Sequence, residues 1–253
     1  MNTFSAFHQK PTQRTDRSVL RPSAPAIIAV TLAALMLTDP SVAQQVSAES
    51  CGSLANAFGP FDYRTDRGHS LQLVESAHFT PRVESLISGH TSSGPSGDLD
   101  YTLRAYPNHH RALVSIMKMT ERAKTPTPRG LPRPAECYFE RAVRWRVDDN
   151  VARMLYAQFL YLHKRPSEAA ALLSTAAELG KESGLTQYNI GLVYLEAGAH
   201  EQALAQAHIA YAFGVARPQL RDQLKALGKW REPEPVAAAA PAAAAAAASE
   251  PAR

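Results

Sequence analysis

Three segments of the chain repeat one pattern of small residues at a spacing of 34 residues. The pattern shows in two sets of alanines: Ala135, Ala169 and Ala203, followed seven positions later by Ala142, Ala176 and Ala210. A fixed period of this length is typical of proteins built from stacked copies of one small unit, which bury a continuous core only by packing on their neighbours. The period therefore limits the possible folds more than any other feature of the sequence.

The clearest copies are QYNIGLVYLEAGAHEQALAQAHIAYAFG at 187–214 and RMLYAQFLYLHKRPSEAAALLSTAAELG at 153–180. In each copy a small residue precedes a large one by three positions: Gly191 before Tyr194, and Ala157 before Leu160. Two antiparallel helices joined by a short turn approach closely only where one of them presents alanine or glycine. The copies resemble the tetratricopeptide repeat, which implies an all-α protein folded as a right-handed α-solenoid of antiparallel helix pairs.

Two turns depart from the family pattern. In the copy at 153–180, Lys164-Arg165-Pro166 replaces the usual glycine and aromatic residue. In the first copy the turn carries the insertion KTPTPRGLPR, whose three prolines and glycine cannot continue a helix. With these turns placed, the repeat predicts helical pairs at 107–123 with 134–146, 150–163 with 166–179, and 184–197 with 200–213, followed by a capping helix at 218–230.

The resemblance assigns roles to two sets of residues. Packing between helices is implied for Ala135, Ala142, Ala157, Leu160, Ala169, Ala176, Gly191, Tyr194, Ala203 and Ala210. Partners of this family usually bind a concave groove formed by the first helices, which here offer Val114, Lys118, Met154, Gln158, Tyr161, Tyr188, Leu192 and Leu195. Tyr161 and Tyr188 are the expected anchors, because a tyrosine combines a large apolar contact with a polar tip. Packing of Tyr188 and Leu192 against the neighbouring repeat is an equally good alternative.

The first 43 residues have the order of a secretory signal peptide. A polar, basic segment at 1–25 precedes the apolar run AIIAVTLAALML at 26–37, and Ser41-Val42-Ala43 supplies the small residues that a signal peptidase reads. The run of 12 residues is too short to cross a bilayer, so cleavage is expected rather than a membrane anchor or a buried helix. Arginine outnumbers lysine and alanine is abundant, which suggests a bacterium with a GC-rich genome and therefore export to the periplasm.

Only two cysteines occur, Cys51 and Cys137. In an oxidising compartment the simplest interpretation is a disulfide between them, the alternative being two unpaired thiols. Such a bridge would join the start of the mature chain to the second helix of the first repeat. The chain-entropy model gives about 4–5 kcal/mol of stabilisation for a loop of this length as an upper figure.

The sequence thus divides into four segments. We expect a signal peptide at 1–43, an N-terminal extension at 44–106, three repeats with a capping helix at 107–230, and a disordered Ala/Pro-rich tail at 231–253. Within the extension, 52–80 fits no repeat and is expected to be irregular, whereas 79–106 has the pattern of a degenerate helical pair.

Charge and motifs exclude several functions. Removing 1–43 takes away four basic and two acidic residues, so the formal charge falls from +4 to +2, and no basic stripe with interleaved aromatic residues predicts nucleic-acid binding. No nucleophile elbow, phosphate-binding glycine loop or Cys-x-x-Cys is present. We therefore expect no enzyme, no cofactor and no stable membrane insertion after cleavage. The predicted function is a periplasmic scaffold that binds a peptide or protein surface.

Two alternatives remain open. A metal-binding or enzyme-accessory protein would use the histidines of the N-terminal half, namely His69, His78, His90, His109 and His110. None of them forms the His-x-x-x-His spacing that places two ligands on one helix face, and the sequence predicts no specific metal site. A structural component of the cell envelope would act through the Ala/Pro tail.

Overall fold

The computed structural model describes residue 47 and residues 49–233, and every regular element in this part of the chain is an α-helix. The helices are α1 His69–His78, α2 Pro81–Glu84, α3 Pro95–Ala105, α4 His110–Ala123, α5 Glu136–Trp145, α6 Asn150–Leu162, α7 Pro166–Leu179, α8 Gly184–Glu196, α9 His200–Ala212 and α10 Gln219–Ala226. The predicted all-α class is confirmed. The predicted signal peptide and the predicted tail beyond residue 233 lie outside the described residues.

The helices of the last two repeats begin at the predicted residues and end at, or one residue before, the predicted ends. Polar caps set the starts of α6 and α8: the Asp149 carboxylate accepts from the Ala152 backbone at 3.0 Å, and the Ser183 hydroxyl accepts from the Thr186 backbone at 3.2 Å. Helix α4 begins three residues later than predicted, because the His109 ring caps it by accepting from the Ala112 backbone at 3.2 Å.

From α5 onward each helix packs against the next one in the chain, and α4, α6 and α8 also pack on one another in turn. Thus α6 contacts α7 and α8 contacts α9, while α4 also contacts α6 and α6 contacts α8. All ten residues expected to pack between helices are buried. At Gly191, a Cβ atom would lie 2.6 Å from the Leu220 side chain of α10, so the absence of a side chain lets the last helix close over the core.

The N-terminal extension has no regular element over 52–68, whereas helix α1 occupies His69–His78, which corrects the expectation that all of 52–80 is irregular. Helix α1 buries Leu71 and Val74, which are three positions apart and share one helical face. Together with Tyr63, Ala105 and Tyr106 they form a small second core. The prediction failed because so short an apolar stretch fits alternation and helical spacing equally well. The degenerate pair expected from residue 79 appears as α2 and α3, and no described helix combines the length and the apolar character needed to span a membrane.

Two features attach the start of the described chain to the first repeat. Cys51 and Cys137 are joined by a disulfide with Cα atoms 5.1 Å apart. Beside it, the Arg141 guanidinium, 2% exposed, donates to the carbonyl oxygens of Gly52 at 3.3 Å and of Ser53. Burial lowers the pKa of Arg141, and the charges of Arg133 and Arg144 lower it further. The segment at 51–53 is therefore held both covalently and by a buried cation.

A buried amide joins the extension to the repeats. Asn108 is fully buried, and its Nδ2 donates to Asp62 at 2.7 Å and to Asp149 at 2.8 Å. Its Oδ1 accepts from the Tyr63 backbone at 3.0 Å. Asp149 is also the cap of α6, so a single side chain fixes the extension, the start of α4 and the start of α6 relative to one another.

Candidate functional site

A cleft of about 350 Å³ opens between helices α4, α6 and α8. Its floor is apolar and its rim carries charges of both signs; the lining residues are Met117, Glu121, Gln158, Tyr161, Leu162, Lys164, Val193, Glu196 and Ala197. A second hollow of about 580 Å³ adjoins it at the turns that follow α6 and α8, and the two share Tyr161, Lys164 and Ala197. The three first helices of the repeats thus form the walls of one continuous depression.

The predicted groove residues are divided between this cleft, the rest of the surface and the core. Gln158 and Tyr161 line the cleft. Lys118 is exposed on α4, and Val114, Leu192 and Leu195 are half-buried, the two leucines packing against the core. Met154 and Tyr188 are 7% and 1% exposed, so neither offers a surface to a partner.

The assignment of Tyr188 as an anchor is corrected by its position. Its ring packs edge-to-face against Tyr211 of α9, with ring centroids 6.4 Å apart. The end of α9 thus covers the start of α8, where Tyr188 lies. Tyr161, one residue from the end of α6, is half-buried.

The geometry around Tyr161 sets the polarity of the cleft. The Gln158 Nε2 donates to the Glu196 Oε2 at 2.8 Å, which ties α6 to α8 across the depression. Burial raises the pKa of Tyr161, with a further contribution from Tyr194, so its hydroxyl stays protonated and can donate. A half-buried ring with a polar tip, between an amide and carboxylates, suits a ligand that is partly apolar and partly polar.

Several lining residues were missed by the sequence analysis. Lys164 stands where the next repeat has Gly198, and both residues take the left-handed conformation, at φ 62° and φ 75°. The Lys164 side chain consequently reaches the mouth of the cleft. The substitution in the turn was visible in the sequence, but nothing indicated that it would place a cation beside Tyr161.

Three of the five N-terminal histidines have carboxylate partners. His78 contacts Asp98 at 2.9 Å, His109 contacts Glu75 at 3.1 Å, and His110 contacts Asp149 at 2.9 Å. These pairs join different elements of the extension and the first repeats. Among the described residues, no three His, Cys, Asp or Glu side chains are arranged to hold a metal ion.

Asp98 organises the loop before α3. Its carboxylate accepts from the backbone of His90 at 2.7 Å, from the Ser92 hydroxyl at 2.9 Å and from the Thr91 hydroxyl. Burial alone would raise the pKa of Asp98, but these hydrogen bonds and that of His78 outweigh it and hold the pKa well below its usual range. His90 therefore contributes its backbone to the fold, whereas His69 simply begins α1.

Comparison with known proteins gives no relative. No protein-family model, no curated protein and no solved structure matches this chain. The function of the chain must therefore be inferred from its own residues.

Proposed function

We propose that this protein is an exported bacterial member of the tetratricopeptide-repeat type, acting in the periplasm as a non-enzymatic scaffold for a peptide or protein partner. In this proposal α4–α9 form a right-handed solenoid of three antiparallel pairs, closed by α10. The buried alanines at the repeat period, and the contacts of each first helix with the next first helix, support this architecture.

The observation that carries the proposal is the cleft around Tyr161. It lies on the first helices, the side from which repeats of this type usually bind their partners, and its lining combines apolar surface with charges of both signs. A peptide offers both kinds of group along one chain. Ordered aromatic side chains in partly enclosed surfaces are also the residues that contribute most to binding energy at protein interfaces.

Export is supported by the disulfide and by the N-terminal sequence. The Cys51–Cys137 pair is within bonding distance and both residues are buried. Disulfides persist in oxidising compartments and are rare where cellular thiols are kept reduced. With the signal-like sequence at 1–43, which lies outside the described residues, this favours the periplasm over the cytoplasm.

Replacement of Tyr161 by alanine tests the proposal. A partner would first be captured by crosslinking in a periplasmic extract, identified by mass spectrometry and purified. We expect Tyr161→Ala to weaken its binding by about 2 kcal/mol, roughly thirtyfold in Kd, because the ring is the main apolar contact of the cleft. Calorimetry on the purified pair measures this.

Two matched variants make the result interpretable. Tyr161→Phe keeps the ring and should bind nearly as well as the unmodified protein. Leu179→Ala removes an equally apolar but exposed side chain from the second helix α7 and should have no effect. If Tyr161→Ala stays folded by circular dichroism and binds undiminished, the partner does not use the cleft and the proposal fails.

A further inference from the structure

Another cavity, of about 690 Å³ and separate from the cleft and its adjoining hollow, lies on the other face of α4. Its walls come from the end of α2, the start of α3, the end of α4 and the insertion in the turn; they are Leu86, Pro95, Ser96, Met119, Arg122, Ala123, Thr125, Thr127, Pro128 and Arg129. At about 100° per residue, Met119, Arg122 and Ala123 project away from Met117 and Glu121, which line the cleft. Helix α4 therefore separates two depressions.

The insertion that forms one wall is fixed in place. Pro128 is buried and Leu131 packs against the core. Gly130 has φ 87°, and a Cβ atom there would lie 2.7 Å from the Ser96 hydroxyl oxygen, so the loop touches the start of α3 where only glycine fits. Arg129, the preceding residue, is thus carried on an anchored backbone rather than on a free loop.

The charge of this cavity has one sign. Arg122 and Arg129 line it, and no carboxylate does. Neither arginine forms an ion pair within the described part of the chain, although Arg122 donates to the Ser85 carbonyl at 3.1 Å. Glu121, the nearest acid in sequence, faces the cleft on the other side of α4. Three hydroxyls from Ser96, Thr125 and Thr127 add hydrogen-bonding groups to the same walls.

We propose that this cavity binds an acidic peptide segment. The inference rests on the proposed function, because α4 is shared with the Tyr161 cleft and one extended partner chain can contact both depressions. Guanidinium groups bind carboxylates through paired hydrogen bonds, and two of them without acidic neighbours favour an anionic ligand.

The walls favour a peptide over a small inorganic anion. Leu86, Pro95 and Met119 supply apolar surface that a phosphate ion cannot use. The volume lies in the range of pockets that hold organic ligands, far above that of a single oxyanion. Side-chain methylenes of glutamate would cover the apolar walls while their carboxylates meet the arginines.

The experiment uses fluorescein-labelled hexaglutamate, with equally labelled hexaglutamine as the neutral control, in fluorescence anisotropy on the oxidised protein. We expect hexaglutamate to bind, hexaglutamine not to bind, and added salt to weaken the complex. Arg129→Gln should weaken binding about tenfold or more through loss of a charge-assisted contact. Arg122→Gln should do the same, and Arg217→Gln, an exposed arginine on the loop before α10, should have no effect.

Three outcomes would overturn the inference. They are no binding of hexaglutamate, equal weakening by Arg129→Gln and Arg217→Gln, and displacement of the peptide by inorganic phosphate at similar concentration, which would indicate a site for small oxyanions. Tyr161→Ala should leave hexaglutamate binding unchanged. If Tyr161→Ala leaves partner binding unchanged while Arg129→Gln weakens hexaglutamate binding, the proposal for the cleft is wrong. If Tyr161→Ala weakens partner binding while Arg129→Gln leaves hexaglutamate binding unchanged, the proposal for this cavity is wrong.

Discussion

At the scale of single residues, the buried tyrosines differ in what their hydroxyl groups contact. The Tyr138 hydroxyl donates to Asp100 at 2.8 Å and the Tyr156 hydroxyl donates to Glu136 at 2.7 Å. The Tyr188 hydroxyl is buried and has no hydrogen-bond partner among the described residues. A buried hydroxyl without a partner costs free energy, because it has given up its bonds to water.

This difference predicts opposite effects for the same substitution. Tyr188→Phe should leave the free energy of unfolding unchanged or raise it by about 1 kcal/mol, since it removes an unsatisfied group. Tyr138→Phe should lower it by about 1–3 kcal/mol, because it removes the hydroxyl that donates to Oδ1 of the buried Asp100. Urea unfolding of the two variants beside the parent protein gives both values. A clear loss of stability in Tyr188→Phe would mean that a water or another group satisfies this hydroxyl.

At the scale of helices and turns, the turns after α6 and α8 share one backbone conformation but use two kinds of residue. Lys164 has φ 62° and Gly198 has φ 75° at equivalent turns. A residue with a Cβ atom is strained in this region and glycine is not. The turn after α6 therefore stores strain that the turn after α8 avoids.

Exchanging these residue types tests that view. Lys164→Gly should stabilise the protein by about 0.5–1 kcal/mol, and Gly198→Ala should destabilise it by about 1 kcal/mol. Thermal melting followed by circular dichroism measures both. Lys164→Ala, which removes the amine but keeps the Cβ atom, is the control; a stabilisation as large as that of the glycine variant would show that the side chain, not the backbone, causes the effect.

The helices were predictable because their information is local. Each helix carries its own signals: the small residues that recur at the 34-residue period lie within it, and the prolines, glycines and polar caps lie at its ends. Helix α1 was missed because Leu71 and Val74 are too few to define a period. The mixed outcome for the groove has another cause: Tyr161 and Tyr188 both lie on first helices, and only the packing of α9 shows that one of them is covered.

At the scale of the whole molecule, several buried carboxylates link acid conditions to unfolding. Burial would raise the pKa of Asp62, but hydrogen bonds from Arg64 and Asn108 outweigh it and hold the pKa far below its usual range, as at Asp98. A carboxyl whose pKa is lower in the folded state stabilises the fold above its unfolded pKa. That contribution is lost as the pH falls through the folded value.

A buried histidine makes the free energy of unfolding depend on pH at higher pH values than the carboxylates do. Burial lowers the pKa of His109 below its ordinary value of about 6.5. Its partner Glu75 opposes this shift, and Arg111 adds to it. Because the unfolded chain binds this proton more readily, His109 stabilises the fold above about pH 6.5 and destabilises it as the pH falls below that value.

We therefore expect the free energy of unfolding to fall in two stages on acidification, first below about pH 6.5 and then, by about 1–3 kcal/mol per carboxyl, below about pH 4. His109→Asn, which keeps a residue able to cap α4, should reduce the first stage, to which His163 also contributes because burial lowers its pKa, and Asp98→Asn should reduce the second. Urea unfolding between pH 8 and pH 3 measures both. An unchanged slope between pH 7 and pH 5 in His109→Asn would contradict the assignment.

The buried amide of Asn108 limits how this protein can change over generations. Repeat arrays commonly lengthen, shorten or recombine, because one unit contacts the next through similar surfaces. Here the first unit has a partner outside the array: excision at residue 107 would take Asp62 and Tyr63 from Asn108 and leave its polar groups unpaired in the interior. Gain or loss of units should accordingly be confined to the C-terminal side, and the first repeat should be inherited only together with the segment that precedes it.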